Sequence, residues 1–274
     1  MTASPSGRQI YSPPACANRD AAATPPPRYN VLGVGISALT LAQARELVLG
    51  VRGEVRRGYV CLATAHGIAE ARRDPALREI YNASWLTTPD GMPLVWLGPR
   101  GVERVYGPDL MLTVCDAGRA SGLRHYFFGG TPGVAAELSG KLAARFPGLA
   151  VAGMFTPPFR ALDESELAAL RADVARTRPD VLWVGISSPK QERFMAAHAR
   201  MLDAGVLIGV GAAFDFHAGR VRQAPRWVQR SGCEWLFRLA MEPRRLGPRY
   251  AESVPRFLVC ALAQKFRLRH YPLT

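Results

Sequence analysis

The sequence predicts an α/β fold in which a parallel sheet is covered by helices on both faces. Between residues 29 and 219, short runs rich in β-branched and aromatic residues alternate with amphipathic segments of helical period. Strands separated by helices of about 10 to 15 residues are joined by right-handed crossovers, which build a parallel sheet. The chain has 274 residues, of which 48% are hydrophobic, so it can bury the core of one large domain or two small ones. We expect a Rossmann-like core without internal repeats.

The first half of this core contains two predicted pairs of a strand and a helical segment. The strand YNVLGV precedes a helix with apolar residues along one face from Leu41 to Val51. The strand GYVCLAT precedes a helical segment from Ile68 to Ile80. The same alternation then continues along the chain.

The second half contains three further predicted strands and the end of a fourth. The strand HYFFGG leads into a helix with an apolar residue at every fourth position from Val134 to Phe146. The run MFTPP is interpreted as a strand end and a loop. A helix through Leu170 leads into the strand DVLWVGI, and a helix through Phe194 and Met201 leads into the strand VLIGVG.

Two terminal segments lie outside the predicted core of residues 29–219. Residues 1–28 are rich in Pro, Ala and Ser, and we predict a disordered tail because this composition buries little apolar surface. Residues 220–274, here called the C-terminal appendage, contain twelve Lys and Arg against three Asp and Glu, so they contribute nine of the thirteen net positive charges. Four prolines are predicted to break this appendage into short helical pieces: Pro225, Pro243, Pro248 and Pro255.

The charge and composition of the appendage suggest what it contacts. Arginine and aromatic residues on short helices are typical of a surface that faces anionic lipid, and the predicted role is association with an anionic membrane surface. A solvated basic face packed on the core stays open as the alternative. Exposed apolar surface also allows a homo-oligomer, although nothing in the sequence fixes the number of subunits.

Several classes of protein are disfavoured by motifs that the sequence lacks. The five cysteines form no CxxC pair, which disfavours a disulfide framework or a zinc knuckle and favours the reducing cytoplasm. No apolar run approaches the roughly 20 residues that span a bilayer, and the start of the chain lacks the apolar core of a signal peptide. The sequence contains no HExxH, HxH or DxD pattern, so we predict neither a metal nor a cofactor.

Three glycine-containing junctions are candidates for binding a phosphate. The run GVGISA matches the GxGxxA form of a dinucleotide fingerprint, but the next strand ends without the carboxylate that holds a ribose, so an NAD-dependent oxidoreductase is only an alternative. The other junctions are FFGGTPG, with Gly129, Gly130 and Gly133, and GISSPKQE, with Gly185, Ser187 and Ser188. Backbone N–H groups at such junctions can bind a nucleotide diphosphate. The alternative for each junction is a tight turn that binds no ligand.

A few charged residues stand out near the predicted strand ends. Asp90 in LTTPDGMPLVW lies between two apolar runs, where it is either a general base or a turn former. Asp215 in GAAFDFHAG has a similar setting. Arg104 in ERVYGPDLM and the arginines of the appendage have planar guanidinium groups that suit a diphosphate, and a solvated arginine is the alternative for any one of them.

Eight motifs, taken together and in order, resemble the WecG/TagA/CpsF family of bacterial glycosyltransferases from about Tyr29 to Tyr250. They are ATAH, TPDGMPLVW, ERVYGPDLM, FFGGTPGVAAEL, VLWVGISSPKQE, GVGAAFDFHAG, APRWVQRSGCEWLFRL and EPRRLGPRY. The resemblance implies a metal-independent, inverting transfer of a sugar from a UDP-sugar donor to a polyprenyl-diphosphate-linked saccharide at the inner face of the cytoplasmic membrane. N-acetylmannosamine, its uronic acid and glucose are the sugars it suggests.

The resemblance also implies roles for individual residues. The family's acidic residue of the DG turn falls on Asp90, as the base that deprotonates the acceptor. Substrate-positioning residues fall on Thr64, Arg104 and Gln191, and His66 stands where the family has Asn. The appendage is implied to close over the site, with four arginines as candidates to reach the diphosphate: Arg222, Arg226, Arg238 and Arg245.

A nucleic-acid-binding protein is the remaining alternative that the positive charge allows. The stacked aromatic and basic strands of RRM or OB domains are missing from the sequence pattern, so no nucleic-acid partner is expected.

Overall fold

The computed structural model describes residues 10–11, 25–51 and 57–273 of the chain. The predicted disordered tail, residues 1–28, lies largely outside these described residues, and its disorder stays a prediction. Three short strands pair antiparallel: β1 (Ile10–Tyr11), β2 (Arg28–Val31) and β3 (Val34–Ser37).

Six of the described strands form a parallel sheet at the centre of the fold. They are β4 (Gly58–Ala63), β5 (Leu86–Pro89), β6 (Arg124–Gly129), β7 (Ala150–Phe155), β8 (Val181–Gly185) and β9 (Val206–Gly209). Their order across the sheet is β5-β4-β9-β8-β6-β7, and every pairing between neighbours is parallel. The predicted α/β class with a parallel sheet is confirmed.

Helices follow the strands and cover the sheet. In the core they are α1 (Leu41–Leu49), α2 (Ala65–Ala71), α3 (Pro75–Ala83), α4 (Met92–Leu97), α5 (Gly107–Ala117), α6 (Val134–Arg145), α7 (Glu164–Thr177), α8 (Lys190–His198) and α9 (Ala213–Ala218). In the C-terminal appendage they are α10 (Arg226–Arg230), α11 (Glu234–Met241) and α12 (Pro243–Lys265). A short 3-10 helix spans Gly118–Ser121.

Each face of the parallel sheet has its own hydrophobic core, because successive side chains of a strand point to opposite faces. In β8, Leu182 and Val184 belong to one core and Val181 and Trp183 to the other, all of them fully buried. The first core includes Phe257 of α12, so the C-terminal appendage helps to cover that face. Helices lie on both faces, as predicted.

The first predicted strand was assigned wrongly. YNVLGV is not a strand of the parallel sheet but the β2–β3 hairpin, with Leu32 and Gly33 at its turn. Both turn residues have positive φ, 54° and 89°, which is the geometry of a two-residue hairpin turn. Asn82 of α3 fixes the hairpin, since its amide accepts from the Gly35 N–H at 2.9 Å and donates to the Gly33 carbonyl at 3.0 Å. The GxGxxA run therefore lies in a hairpin and not at the strand-to-helix junction that a dinucleotide site requires.

Two predicted helices have different ends in the structure. The segment from Ile68 to Ile80 is divided into α2 and α3, because Asp74 caps α3 by accepting from the Leu77 N–H at 3.0 Å and Pro75 begins the new helix. The helix through Phe194 ends at His198, so Met201 lies beyond it. The predicted helix after β6 is confirmed as α6.

The prolines of the appendage act differently from the prediction. Pro225 and Pro243 lie at the starts of α10 and α12, where a missing N–H costs nothing, but Pro248 and Pro255 lie inside the 23-residue α12. A proline inside a helix removes a main-chain hydrogen bond. Leu246 and Phe257 of α12 are buried, so packing of this helix helps to offset that loss. Within the described residues, no helix has both the length and the apolar character needed to cross a bilayer.

Candidate active site

The main pocket of the described chain opens at the carboxyl ends of the parallel strands. Thr64 follows β4, Asp90 follows β5 and Gly185 ends β8, and all three line the pocket. Helices α11 and α12 complete it with Glu234, Trp235, Arg238, Leu246 and Tyr250. Ligands of parallel α/β sheets bind at this edge, so the pocket lies where the fold favours a substrate.

Most of the predicted site residues are brought together in this pocket. The residues that line it are Thr64, His66, Asp90, Arg104, Gly185, Gln191 and Arg238, together with Asp215. Gly129 and Gly130 do not line it. A Cβ atom on Gly129 would lie 2.5 Å from the Gly185 carbonyl oxygen, and the Gly130 N–H donates to that oxygen at 3.0 Å. Gly129 therefore allows close packing of the ends of β6 and β8. Gly130 allows close packing against the start of α6, where a Cβ atom on it would lie 2.8 Å from the Val134 Cβ.

Of the four predicted appendage arginines, two lie outside the pocket, one lines it and one has a side chain that the structure does not describe. Arg226 is exposed and forms an ion pair with Asp109 at 2.6 Å. Arg222 is exposed and does not line the pocket. Arg245 belongs to α12, and its side chain lies outside what the structure describes. Of the four, Arg238 alone among the described side chains reaches the pocket, and its guanidinium lies 5.8 Å from the ring centre of Phe216.

Asp90 is held by backbone contacts on both sides. Its N–H donates to the Ala63 carbonyl at 2.9 Å, and its Oδ1 accepts from the Gly107 N–H at 3.1 Å. Burial raises the pKa of Asp90 to about 6; Glu234 acts in the same direction, whereas Arg104 and the Gly107 N–H oppose the rise. At neutral pH the carboxylate is mostly ionised but more basic than an ordinary aspartate, which suits a general base.

Arg104 connects the core to the appendage beside Asp90. Its Nε donates to the Asp90 carbonyl, and its Nη2 pairs with Glu234 Oε2 at 2.6 Å. Burial acts against its charge, but Asp90 and Glu234 raise the pKa of Arg104 overall, so it stays protonated. The guanidinium also lies 3.9 Å from the ring centre of Tyr106.

Tyr106 completes this network of polar groups. Its hydroxyl donates to Glu234 Oε1 at 2.8 Å, and burial raises its pKa, so the hydroxyl keeps its proton. Glu234 thus accepts from two core side chains at once. Glu234 and Tyr106 were not predicted, because no spacing rule pairs Arg104 with an acid 130 positions later. The motifs that contain them, ERVYGPDLM and APRWVQRSGCEWLFRL, were the only available signal.

Gln191 joins the loops that follow β8 and β9. Its Oε1 accepts from the Gly211 N–H at 3.0 Å, and its Nε2 donates to Glu192 Oε1 at 3.2 Å. Ser188 donates to the same Glu192 oxygen at 2.5 Å. Ser188 belongs to the GISSPKQE junction predicted from the sequence, whereas Glu192 was not predicted. Both hold the Gln191 side chain in place, since its Nε2 donates to each of them.

Thr64 and His66 form the wall of the pocket that follows β4. Thr64 caps α2 by accepting from the Gly67 N–H at 3.1 Å, and His66 follows in the first turn. The start of α2 therefore places both residues at the pocket. His66 occupies the place where the resemblance expects Asn.

Comparison with known proteins shows the family to which the chain belongs. The model of the family described as "Glycosyl transferase WecG/TagA/CpsF family" matches residues 29–271, which is most of the chain. The chain belongs to this glycosyltransferase family. It is therefore a glycosyltransferase of cell-envelope polymer synthesis, which removes the oxidoreductase alternative.

Two curated relatives of the chain carry the same name, N-acetylglucosaminyldiphosphoundecaprenol N-acetyl-beta-D-mannosaminyltransferase. The chain is 28% identical to the one from Bacillus spizizenii over 197 residues, which cover 70% of this chain and 74% of the relative. It is 26% identical to the one from Bacillus subtilis strain 168 over 207 residues, which cover 74% and 78%.

The described residues contain no group of three or more His, Cys, Asp or Glu arranged to hold a metal ion. The predictions of no metal, no cofactor and no nucleic-acid partner stay predictions, as does the homo-oligomer.

Proposed function

We propose that the chain transfers an N-acetylmannosamine-type sugar from a UDP-sugar to a polyprenyl-diphosphate-linked saccharide, with inversion at the anomeric carbon and without a metal ion. The observation that carries this proposal is that one pocket contains both Asp90, whose pKa is raised to about 6, and the protonated Arg104, which donates to the Asp90 main-chain carbonyl. The printed names of the two relatives support both the sugar and the lipid-linked acceptor.

In the proposed reaction Asp90 acts as the general base. Its Oδ1 is engaged by the Gly107 N–H, which leaves Oδ2 to accept the proton of the acceptor hydroxyl. The hydroxyl oxygen forms a bond to the anomeric carbon while the bond from that carbon to the UDP oxygen breaks. The bonding electrons leave with UDP, and the sugar inverts because attack and departure occur on opposite faces.

Positive groups of the pocket stabilise the departing diphosphate. Arg104 and Arg238 line the pocket, and their planar guanidinium groups match phosphate oxygens. In the structure, the ion pair with Glu234 neutralises part of the Arg104 charge. A diphosphate that binds in the pocket therefore competes with Glu234 for the Arg104 guanidinium. Such preorganised charge is what supports a reaction without a metal ion.

The identity of the sugar and the metal requirement are tested in one assay. Purified chain is incubated with a synthetic polyprenyl-diphosphate N-acetylglucosamine acceptor and, in turn, UDP-N-acetylmannosamine, its uronic acid and UDP-glucose, each with and without a chelator. We expect transfer of N-acetylmannosamine, unchanged by the chelator. Transfer of another sugar would correct the donor, and loss of turnover in the chelator would overturn the metal-independent reaction.

We also propose that the chain is cytoplasmic and binds peripherally to the inner face of the membrane. In this proposal the C-terminal appendage, residues 220–274, is a unit added to a core of residues 29–219, and it makes the membrane contact. Large apolar side chains of this segment are exposed: Trp227, Leu236, Met241, Leu258, Val259, Leu262, Phe266 and Leu268. Apolar and basic side chains on one segment are what binds an anionic leaflet. The packing of α12 on the first core shows that the same segment also has a structural role.

A further inference from the structure

A second pocket lies away from the candidate active site and shares no lining residue with it. Its walls are the turn of the β2–β3 hairpin at Leu32 and Gly33, side chains Arg72 and Arg78 from the α2–α3 region, and the C-terminal residues 269–272. The pocket therefore joins the core and the end of the appendage.

The charge in this pocket is of one sign. Arg72, Arg78, Arg269 and His270 line it, and none of the described lining residues is acidic. Three guanidinium groups around one cavity repel one another, and an anion in the cavity offsets that repulsion.

The arginines are oriented by an aromatic ring. The guanidinium of Arg72 lies 4.6 Å from the ring centre of Tyr271, and that of Arg269 lies 5.9 Å from the same centre. Tyr271 is buried, and its carbonyl accepts from the Asn30 side chain at 2.6 Å. The Arg72 Nη1 atom is buried without a hydrogen-bond partner in the described structure, so the group retains a donor.

The wall that the β2–β3 hairpin forms is also fixed. The Leu32 N–H donates to Gln264 Oε1 at 2.8 Å, and Gln264 Nε2 donates to the Asn30 carbonyl at 3.0 Å. At Gly33 the hairpin approaches the C-terminal segment so closely that a Cβ atom would lie 3.1 Å from the Pro272 carbonyl oxygen. The cavity is therefore held by hydrogen bonds that cross from the hairpin to the appendage.

We propose that this pocket binds a phosphate group, carried by a lipid headgroup or present as a free anion. Arginine is suited to this ligand because its planar fork pairs with two phosphate oxygens at once. Phe266 and Leu268, 66% and 80% exposed, lie three residues and one residue before Arg269, so exposed apolar side chains are close in sequence to a residue that lines the charged cavity. This site is independent of the proposed sugar transfer, since it uses none of the residues assigned to donor or acceptor.

The test compares two variants that lose the same charge. The pocket variant is Arg72→Gln with Arg269→Gln, and the control is Arg200→Gln with Arg267→Gln, two exposed arginines that line neither pocket. Binding is measured to inorganic phosphate by calorimetry and to phosphatidylcholine vesicles with and without phosphatidylglycerol by flotation. Circular dichroism checks that both variants are folded, and Arg269→Gln alone serves if the double pocket variant is not.

We expect the pocket variant to bind at least one probe about tenfold more weakly than the control, the loss expected for removing charge-assisted hydrogen bonds. A loss limited to phosphatidylglycerol vesicles assigns the phosphate to a lipid headgroup, and a loss that includes inorganic phosphate shows that the free anion suffices. Equal binding of both probes by the two variants, or no binding of either probe by the parent chain, would overturn the proposal. The assay contains no sugar donor, so its failure and that of the proposed function are separate.

Discussion

Replacing Asp90 by Asn changes stability and turnover in opposite directions. The folded pKa of about 6, against an ordinary value of 3.8, corresponds to about 3 kcal/mol at 1.36 kcal/mol per pKa unit. Because the folded pKa is raised, the stability that this carboxyl contributes is fully present below 3.8 and is lost as the pH rises through about 6. Asn cannot ionise, so the variant avoids that loss.

The expected result is a free energy of unfolding at pH 8 that is higher in Asp90→Asn than in the parent chain, by up to about 3 kcal/mol, with the difference vanishing near pH 4. Asn retains an oxygen that can accept from the Gly107 N–H, so the turn itself is preserved. Turnover is expected to fall by about 10² to 10⁴, the usual contribution of a general base.

The assay is urea unfolding followed by tryptophan fluorescence at pH values from 4 to 8, together with sugar transfer at pH 8. Asp116→Asn is the matched control, because Asp116 is exposed and pairs only with a neighbouring arginine among the described contacts. A variant that is less stable than the parent at pH 8, or that keeps full turnover, refutes the reasoning.

Three other changes test the network around Asp90. Glu234→Gln removes an acid that raises the pKa of Asp90, so the pH below which kcat/KM falls should move to a lower value; an unchanged profile would show that Glu234 does not act on Asp90. Arg238→Gln should weaken UDP binding in calorimetry by about tenfold while circular dichroism stays unchanged, and equal affinity would remove Arg238 from the diphosphate site. Val259→Gln with Leu262→Gln, both at exposed positions of α12, should reduce flotation with anionic vesicles without changing UDP binding, and undiminished flotation would place the membrane contact elsewhere.

The parts of the fold that sequence predicted well are those set by local periodicity. The helix after HYFFGG was found because its apolar residues recur every four positions, and Val134, Leu138 and Leu142 are indeed buried. The hairpin was missed because its turn is Leu32-Gly33 and not the Asn-Gly or Asp-Gly that signals a two-residue turn. In the appendage, Pro248 and Pro255 signalled breaks, yet tertiary packing holds one helix through both of them.

The residues of the candidate site likewise divide into those that the sequence predicted and those that depend on tertiary contacts. Asp90 and Gly185 were found because they lie at the ends of predicted strands, and the ends of parallel strands converge at one edge. Thr64 was found only through the resemblance to the family. Glu234 was not found, because its pairing with Arg104 and Tyr106 depends on how the appendage folds back over the core. Gly129 and Gly130 have the composition of a phosphate-binding turn, but Gly129 is needed for strand packing and Gly130 for packing against α6, and composition alone does not distinguish these uses.

The most direct measurement of the central claim is the pH dependence of kcat/KM for sugar transfer by the parent chain and by Asp90→Asn. The parent should show activity that falls tenfold per pH unit below about pH 6, where the carboxylate gains its proton, whereas the residual activity of the variant should be flat across that range. The same acidic fall in both proteins would mean that another group is the base.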